Sequence, residues 1–284
     1  MLKLGSLLSA ALISTTASHA YTKSLEIQRR NHQILDPYTA SLPRETRKKL
    51  DWMIKTLVDT DENLVHLSMG RAMGRADDKE KPVFLFVHGL GLEDGTDVWR
   101  KPIGQMWSHA LEAYMYKWSK WTSLDTAADG LIDAVETLRE YHPGRQIAIV
   151  AHCAGGVVSL VALDKLQREG ADGGLFLSTA ASPIFGYEAP RIAYAGAVAV
   201  GLATIELGRG GIRKLRSSRL RSCMNWVNTD CSLDRHACLR DGVSPQTGST
   251  KHPQALPCGT VRMGQWTHDE ILQVALDFAL ASVL

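Results

Sequence analysis

The chain has 284 residues, 45% of them hydrophobic and 22% charged, and a net charge of +2. These proportions are ordinary for a soluble globular protein, and the length suffices for one large core, so a single domain is expected. The near-balance of charge gives no basis for nucleic-acid binding.

In chain order, residues 1–20 read as a secretory signal. Lys3 supplies the positive start, residues 4–13 are mostly apolar, and Ser18-His19-Ala20 fits a small-x-small cleavage site. The apolar part is too short to span a bilayer. The competing reading is an amphipathic first helix of the mature fold. With a signal, residues 21–284 form the mature domain, secreted or periplasmic. Residues 21–43 are polar and mixed. A helix is expected over 44–58, where Leu50, Met53, Ile54, Leu57 and Val58 recur at helical spacing. Residues 76–81 form a charged loop. Residues 82–87 are a continuous apolar run, so a buried strand, and end in His88-Gly89-Leu90-Gly91. A helix over 103–113 leads to a strand over 114–118. Residues 127–141 form an amphipathic helix with Leu131, Ile132, Val135 and Leu138 on one face, stopped by Pro143-Gly144.

The next stretch, 146–159, organises the chain. Ile147 to Val150 are apolar and β-branched or small, as in a central parallel strand. Ala151, Ala154, Gly155 and Gly156 leave almost no side-chain volume around Cys153. A sharp turn that lifts one side chain above a sheet edge needs that bareness. The residue so lifted sits at a helix N-terminus, where free N–H groups and the helix dipole favour an anion and a thiol ionises more readily. The alternative is a plain strand–turn–helix with a buried cysteine. The helix continues to about 166, Gly170 to Gly174 break it, and 175–180 are the next strand. Strands alternating with helices at this spacing imply an α/β fold with a mostly parallel central sheet flanked by helices.

Residues 190–221 interrupt the rhythm. An Ala/Gly-rich apolar part is followed by Arg209, Arg213, Lys214, Arg216, Arg219 and Arg221. One reading is a cap between the last two strands, or a peripheral contact with lipid head groups through 191–221. The other is a buried helix followed by a solvated one. Residues 224–228 are expected to be the last strand, and 239–264 a long turn-rich loop. A final helix over 269–284 presents Ile271, Leu272, Ala275, Phe278 and Ala279 inward. There is no internal repeat.

The chain has five cysteines. Cys223, Cys231, Cys238 and Cys258 cluster late. In an exported chain two disulfides are expected among them, in a pairing that sequence does not choose. A zinc site with His236 and His252 is the competing reading, but the spacings lack the close Cys-x-x-Cys knuckles of zinc modules. No metal or cofactor is expected. Cys153 is the cysteine left over.

Acyl transfer needs a nucleophile, a base oriented by an acid, and donors for an oxyanion. Cys153 is the candidate nucleophile. His268, just before the last helix, is the candidate base. Asp234, or alternatively Asp230, in the loop after the last expected strand, is the candidate acid. The backbone N–H groups of Ala154 and of Leu90 or Gly91 are the candidate oxyanion donors. His88 and Gly89 support that turn, and His152 shapes the elbow.

The glycine turn after a strand, the Cys153 elbow, the Asp-bearing loop and the late His268, in this order, resemble α/β-hydrolases of the lipase/esterase type over residues 82–284. The resemblance implies a Cys153–His268–Asp234 triad acting on an ester, thioester or lipid acyl bond. Leu233-Asp234 resembles the acid loop of that family better than Asp230 does. Ala151 stands where the family commonly has glycine, and Cys153 where it commonly has serine. Such use of cysteine is similar to that of dienelactone hydrolases and polyhydroxyalkanoate synthases, the latter also with Cys-x-Gly-Gly. An acyltransferase on the same triad, or an inactive binding protein of this fold, are the competing readings.

Overall fold

The computed structural model describes residues 42–68, 81–90, 96–182, 225–231, 260–264 and 270–284. Their strands are β1 (Leu64–His66), β2 (Val83–Val87), β3 (Glu112–Tyr116), β4 (Ile147–His152), β5 (Leu175–Ala180), β6 (Asn225–Cys231) and β7 (Thr260–Gly264). The helices are α1 (Arg44–Asp59), α2 (Arg100–Ser108), α3 (Leu124–Tyr141), α4 (Ala154–Arg168) and α5 (Glu270–Val283), with a 3₁₀ turn at Thr96–Trp99 before α2.

The continuous apolar runs form the middle of the sheet because both of its faces are covered. Val83, Leu85 and Val87 of β2 join Ile147, Ile149 and Ala151 of β4 under α3 and α4. Phe84, Phe86, Ala148 and Val150 point the other way, against α1, α2 and α5. The seven strands run in the order β1-β3-β2-β4-β5-β6-β7. β1 is antiparallel to β3, and all other pairs are parallel. The mostly parallel α/β sandwich expected from the strand–helix alternation is therefore observed.

Several boundaries differ from the sequence reading. α2 stops at Ser108 instead of running to 113. Ala110 takes a left-handed φ of 50°. Its N–H donates to Trp107 O at 3.2 Å and that of Leu111 to Met106 O at 3.0 Å, a helix stop normally signalled by glycine. β3 consequently starts at Glu112 and leaves Trp118 beyond its end. α3 starts at Leu124 because the Ser123 side chain accepts the Thr126 N–H. β1 was not anticipated, being too short to show a period. The strand at 224–228 is not the last. β7 follows it within the stretch read as a loop, pairing from Val227↔Thr260 to Cys231↔Gly264. The segment 190–221 thus falls between the fifth and sixth of the seven described strands rather than between the last two. That segment, like residues 1–41, lies outside the described residues. On α1, Val58 is exposed while Leu50, Ile54 and Leu57 are buried.

Candidate active site

The connection through β2, β3 and β4 creates a crevice. From β2 the chain moves to β3 on one side, then crosses through α3 to β4 on the other side of β2. The order reverses between β2 and β4, and ligands of open α/β sheets bind at the carboxyl ends of the strands beside such a reversal. Val87 pairs with Ala151 there. The residues that follow are the 88–90 turn on one strand and Cys153 on the other.

Cys153 is the N-cap of α4, with φ 53° and ψ −126°. A non-glycine residue in this region costs about 1–3 kcal/mol and persists only where its surroundings enforce it. Here they do. The Cys153 N–H donates to Ala180 O of β5 at 2.8 Å, and Cys153 O accepts from Gly156 N–H at 3.1 Å. The sharp reversal leaves Cys153 half-buried. Ala154 begins the helix fully buried, and its N–H belongs to the first turn, which has no partner within the helix.

The small residues are required by contact. A Cβ on Gly155 would lie 2.4 Å from His88 O and 2.5 Å from Val87 O. On Gly156 it would lie 1.9 Å from Ser182 Oγ. Helix α4 therefore starts directly against the backbone leaving β2. Gly89 closes the arrangement, since a Cβ there would sit 3.0 Å from Cys153 Cβ and 3.6 Å from its Sγ. Leu90 is half-buried and packs on the core under α3 and α4.

His88 is buried, and both ring nitrogens are engaged. Nε2 accepts from the Trp118 backbone N–H at 3.0 Å. Nδ1 must then carry the proton of a neutral ring, and donates to Gly89 O at 2.7 Å. The Trp118 indole N–H donates to His88 O at 2.9 Å, and the two rings stack at 5.6 Å. Burial lowers the pKa of His88 to about 4, with Lys117 and His152 opposing its positive form and the bond to Gly89 O favouring it. His152 is also buried, edge-on to the Trp99 ring at 6.4 Å.

Cys153, His88, Gly89, Leu90, Ala154 and His152 thus converge at the carboxyl edge of β2 and β4. Gly91, Asp234 and His268 lie outside the described residues, as do Cys223, Cys238 and Cys258. Asp230 was expected in a loop and is instead inside β6, in register with Met263 of β7. β6 and β7 are parallel to β4. Their carboxyl ends at Cys231 and Gly264 lie on the edge that carries Cys153. Trp118 and Trp99 were not recognised from sequence as site residues. Trp118 reads as the end of an apolar strand, and only its place two residues beyond β3 sets it over His88. Among the described residues no cluster of His, Cys, Asp and Glu could hold a metal ion.

The same architecture is found in solved structures. The chain is similar to the mature lipase BlEst2 of Bacillus licheniformis at 19% identity and a TM-score of 0.53, covering 72% of this chain and 91% of that one. It is similar to lipase B of Aspergillus fumigatus at 14% identity and a TM-score of 0.57, covering 78% of this chain and 55% of that one. A hyperthermophilic esterase of the archaeon Pyrobaculum calidifontis aligns at 15% identity and a TM-score of 0.51, over 91% of this chain and 98% of that one. The chain has an α/β-hydrolase fold. At these identities the likeness is one of fold, and no protein-family model and no curated protein sequence matches. The Cys153 turn joins β4 to α4 at the carboxyl edge of the sheet.

Proposed function

We propose that this protein is a hydrolase of carboxylic esters, thioesters or lipid acyl bonds that works through Cys153. The observation that carries the reading is the positive-φ elbow, which holds a half-buried thiol at the start of α4 and against the 88–90 turn. The lipases and the esterase among the structural neighbours agree with it.

In the proposed reaction the Cys153 thiol proton passes to His268, with Asp234 orienting the imidazolium. Sulfur attacks the acyl carbon, and the carbonyl oxygen becomes an oxyanion facing the N–H of Ala154 and that of Leu90 or Gly91. As the tetrahedral adduct collapses, the bond to the leaving group breaks and His268 returns the proton to that group. A thioester remains on Cys153. Water then attacks it, giving its proton to His268. The carbon–sulfur bond breaks, the acid departs and the thiol is restored. No step calls on a cofactor. Asp234 is preferred to Asp230 because it follows the end of β6, while Asp230 is committed to the ladder with β7. The lasting thioester also suits transfer of the acyl group to an alcohol, which is the second reading.

Export by residues 1–20, disulfides among Cys223, Cys231, Cys238 and Cys258, and contact with lipid head groups through 191–221 complete the proposal. None of the described helices is long and apolar enough to cross a membrane.

The test is Cys153→Ala assayed on short acyl esters. The expected loss is on the order of a thousandfold or more in kcat/KM. Unchanged turnover would remove Cys153 from the chemistry. Added alcohol separates the two readings, since accumulation of the transferred ester identifies an acyltransferase and free acid alone identifies a hydrolase.

A further inference from the structure

We propose that Trp118 is a positioning residue, which holds the 88–90 turn against Cys153 by a two-point clasp on His88. The inference rests on the hydrolase reading above, in which that turn receives the acyl oxygen.

Trp118 grips His88 from two sides. Its backbone N–H binds the imidazole Nε2 at 3.0 Å and its indole N–H binds the His88 carbonyl at 2.9 Å. The stacked rings fill the space between, at 5.6 Å and an angle of 14°. His88 passes the restraint on by donating to Gly89 O at 2.7 Å. Gly89 is the residue against Cys153, where an added Cβ would lie only 3.0 Å from Cys153 Cβ. A chain of contacts therefore runs from the end of β3 to the nucleophile. It orients Gly89 O toward the histidine, and in this proposal the N–H side of the turn receives an incoming oxygen. Since a hydrogen bond of this kind contributes modestly to stability but fixes direction, its loss should act on the rate more than on the fold.

The clasp works only with neutral His88, because Nε2 must accept. Around the ring, Lys117 beyond β3 and His152 on β4 both oppose its charging, and burial opposes it most. A loosened clasp would hydrate the ring and let it titrate nearer the ordinary histidine range.

The experiment compares the full chain with Trp118→Phe, His88→Asn and His88→Gln. Phenylalanine keeps the stack and removes the indole donor. Asparagine can still donate to Gly89 O but cannot reach the Trp118 N–H, whereas glutamine can reach that N–H. Three readouts are taken: kcat and KM on a short acyl ester, the rate of Cys153 alkylation by iodoacetamide, and the His88 titration by histidine-ring NMR. In Trp118→Phe, kcat should fall about tenfold. KM and the alkylation rate should stay within about twofold, and the His88 midpoint should rise from about 4 toward 6.5. His88→Asn should lose at least as much kcat, and His88→Gln should recover part of it. Wild-type kcat in both Trp118→Phe and His88→Asn overturns the proposal, as does a loss carried by KM alone. If Trp118→Phe does not fold, the contrast between asparagine and glutamine at position 88 decides. A wild-type protein that turns over no acyl ester overturns the hydrolase reading instead, and the His88 titration in Trp118→Phe then decides the clasp by itself.

Discussion

At Gly155 one methyl group is enough to break the site. Its Cβ would press on two backbone carbonyl oxygens, of Val87 and His88, and neither can rotate away as a side-chain end could. Gly155→Ala should therefore push α4 off β2, lowering stability by about 1–3 kcal/mol in urea denaturation. Turnover should fall with it, because Cys153 is displaced from Gly89. A stable, fully active variant would show that the close approach is not needed. His88 gives the residue scale a pH dependence. Its folded pKa, about 4, lies below the unfolded value near 6.5. The unfolded chain therefore binds the extra proton first, and stability is lost as pH falls from about 6.5 to about 4. Full expression of that shift would be about 3 kcal/mol. His142 acts in the same direction, its pKa lowered by burial and by Arg145. Denaturation at a series of pH values should show a shallower decline over this window in His88→Gln than in the wild type. Equal slopes would mean that His88 is not the group responsible.

At the scale of elements, what positions the site is the way helices begin. α3 begins where the Ser123 side chain caps it, at 3.0 Å from the Thr126 N–H. Ser123→Ala should cost about 1 kcal/mol in thermal or urea melts. α4 begins without a side-chain cap, as α1 and α2 also do, and from Cys153 in a positive-φ backbone. β2, β4 and β5 were readable because burial on both faces makes a strand apolar throughout. β1 and β7 were not. They lie at the two edges of the sheet, where pairing with a single neighbour decides whether a few weakly patterned residues are extended. The end of α2 was missed for a local reason, since alanine instead of glycine adopts the left-handed turn at position 110.

At the scale of the whole molecule, the parallel strands send every loop after a strand end to one edge, and the reversal between β2 and β4 opens the crevice there. The proposed pairing of four cysteines has a consequence at this scale. Thiol titration of the denatured, unreduced chain should find about one free thiol per molecule, and reduction should raise the count to all five. Reduction should also lower the melting temperature. Five free thiols before reduction would refute the disulfides without touching the elbow. The sequence by itself determined the alternation of strands and helices, because buried runs and helical stripes are local patterns. It also marked 146–159 as a candidate elbow, because Ala151, Ala154, Gly155 and Gly156 leave little side-chain volume around Cys153. Only the tertiary structure decided that Gly89 meets Cys153, that Asp230 belongs to a ladder, and that Trp118 closes over His88. Each of those depends on which strands become neighbours, and contact between distant segments leaves no period in the chain.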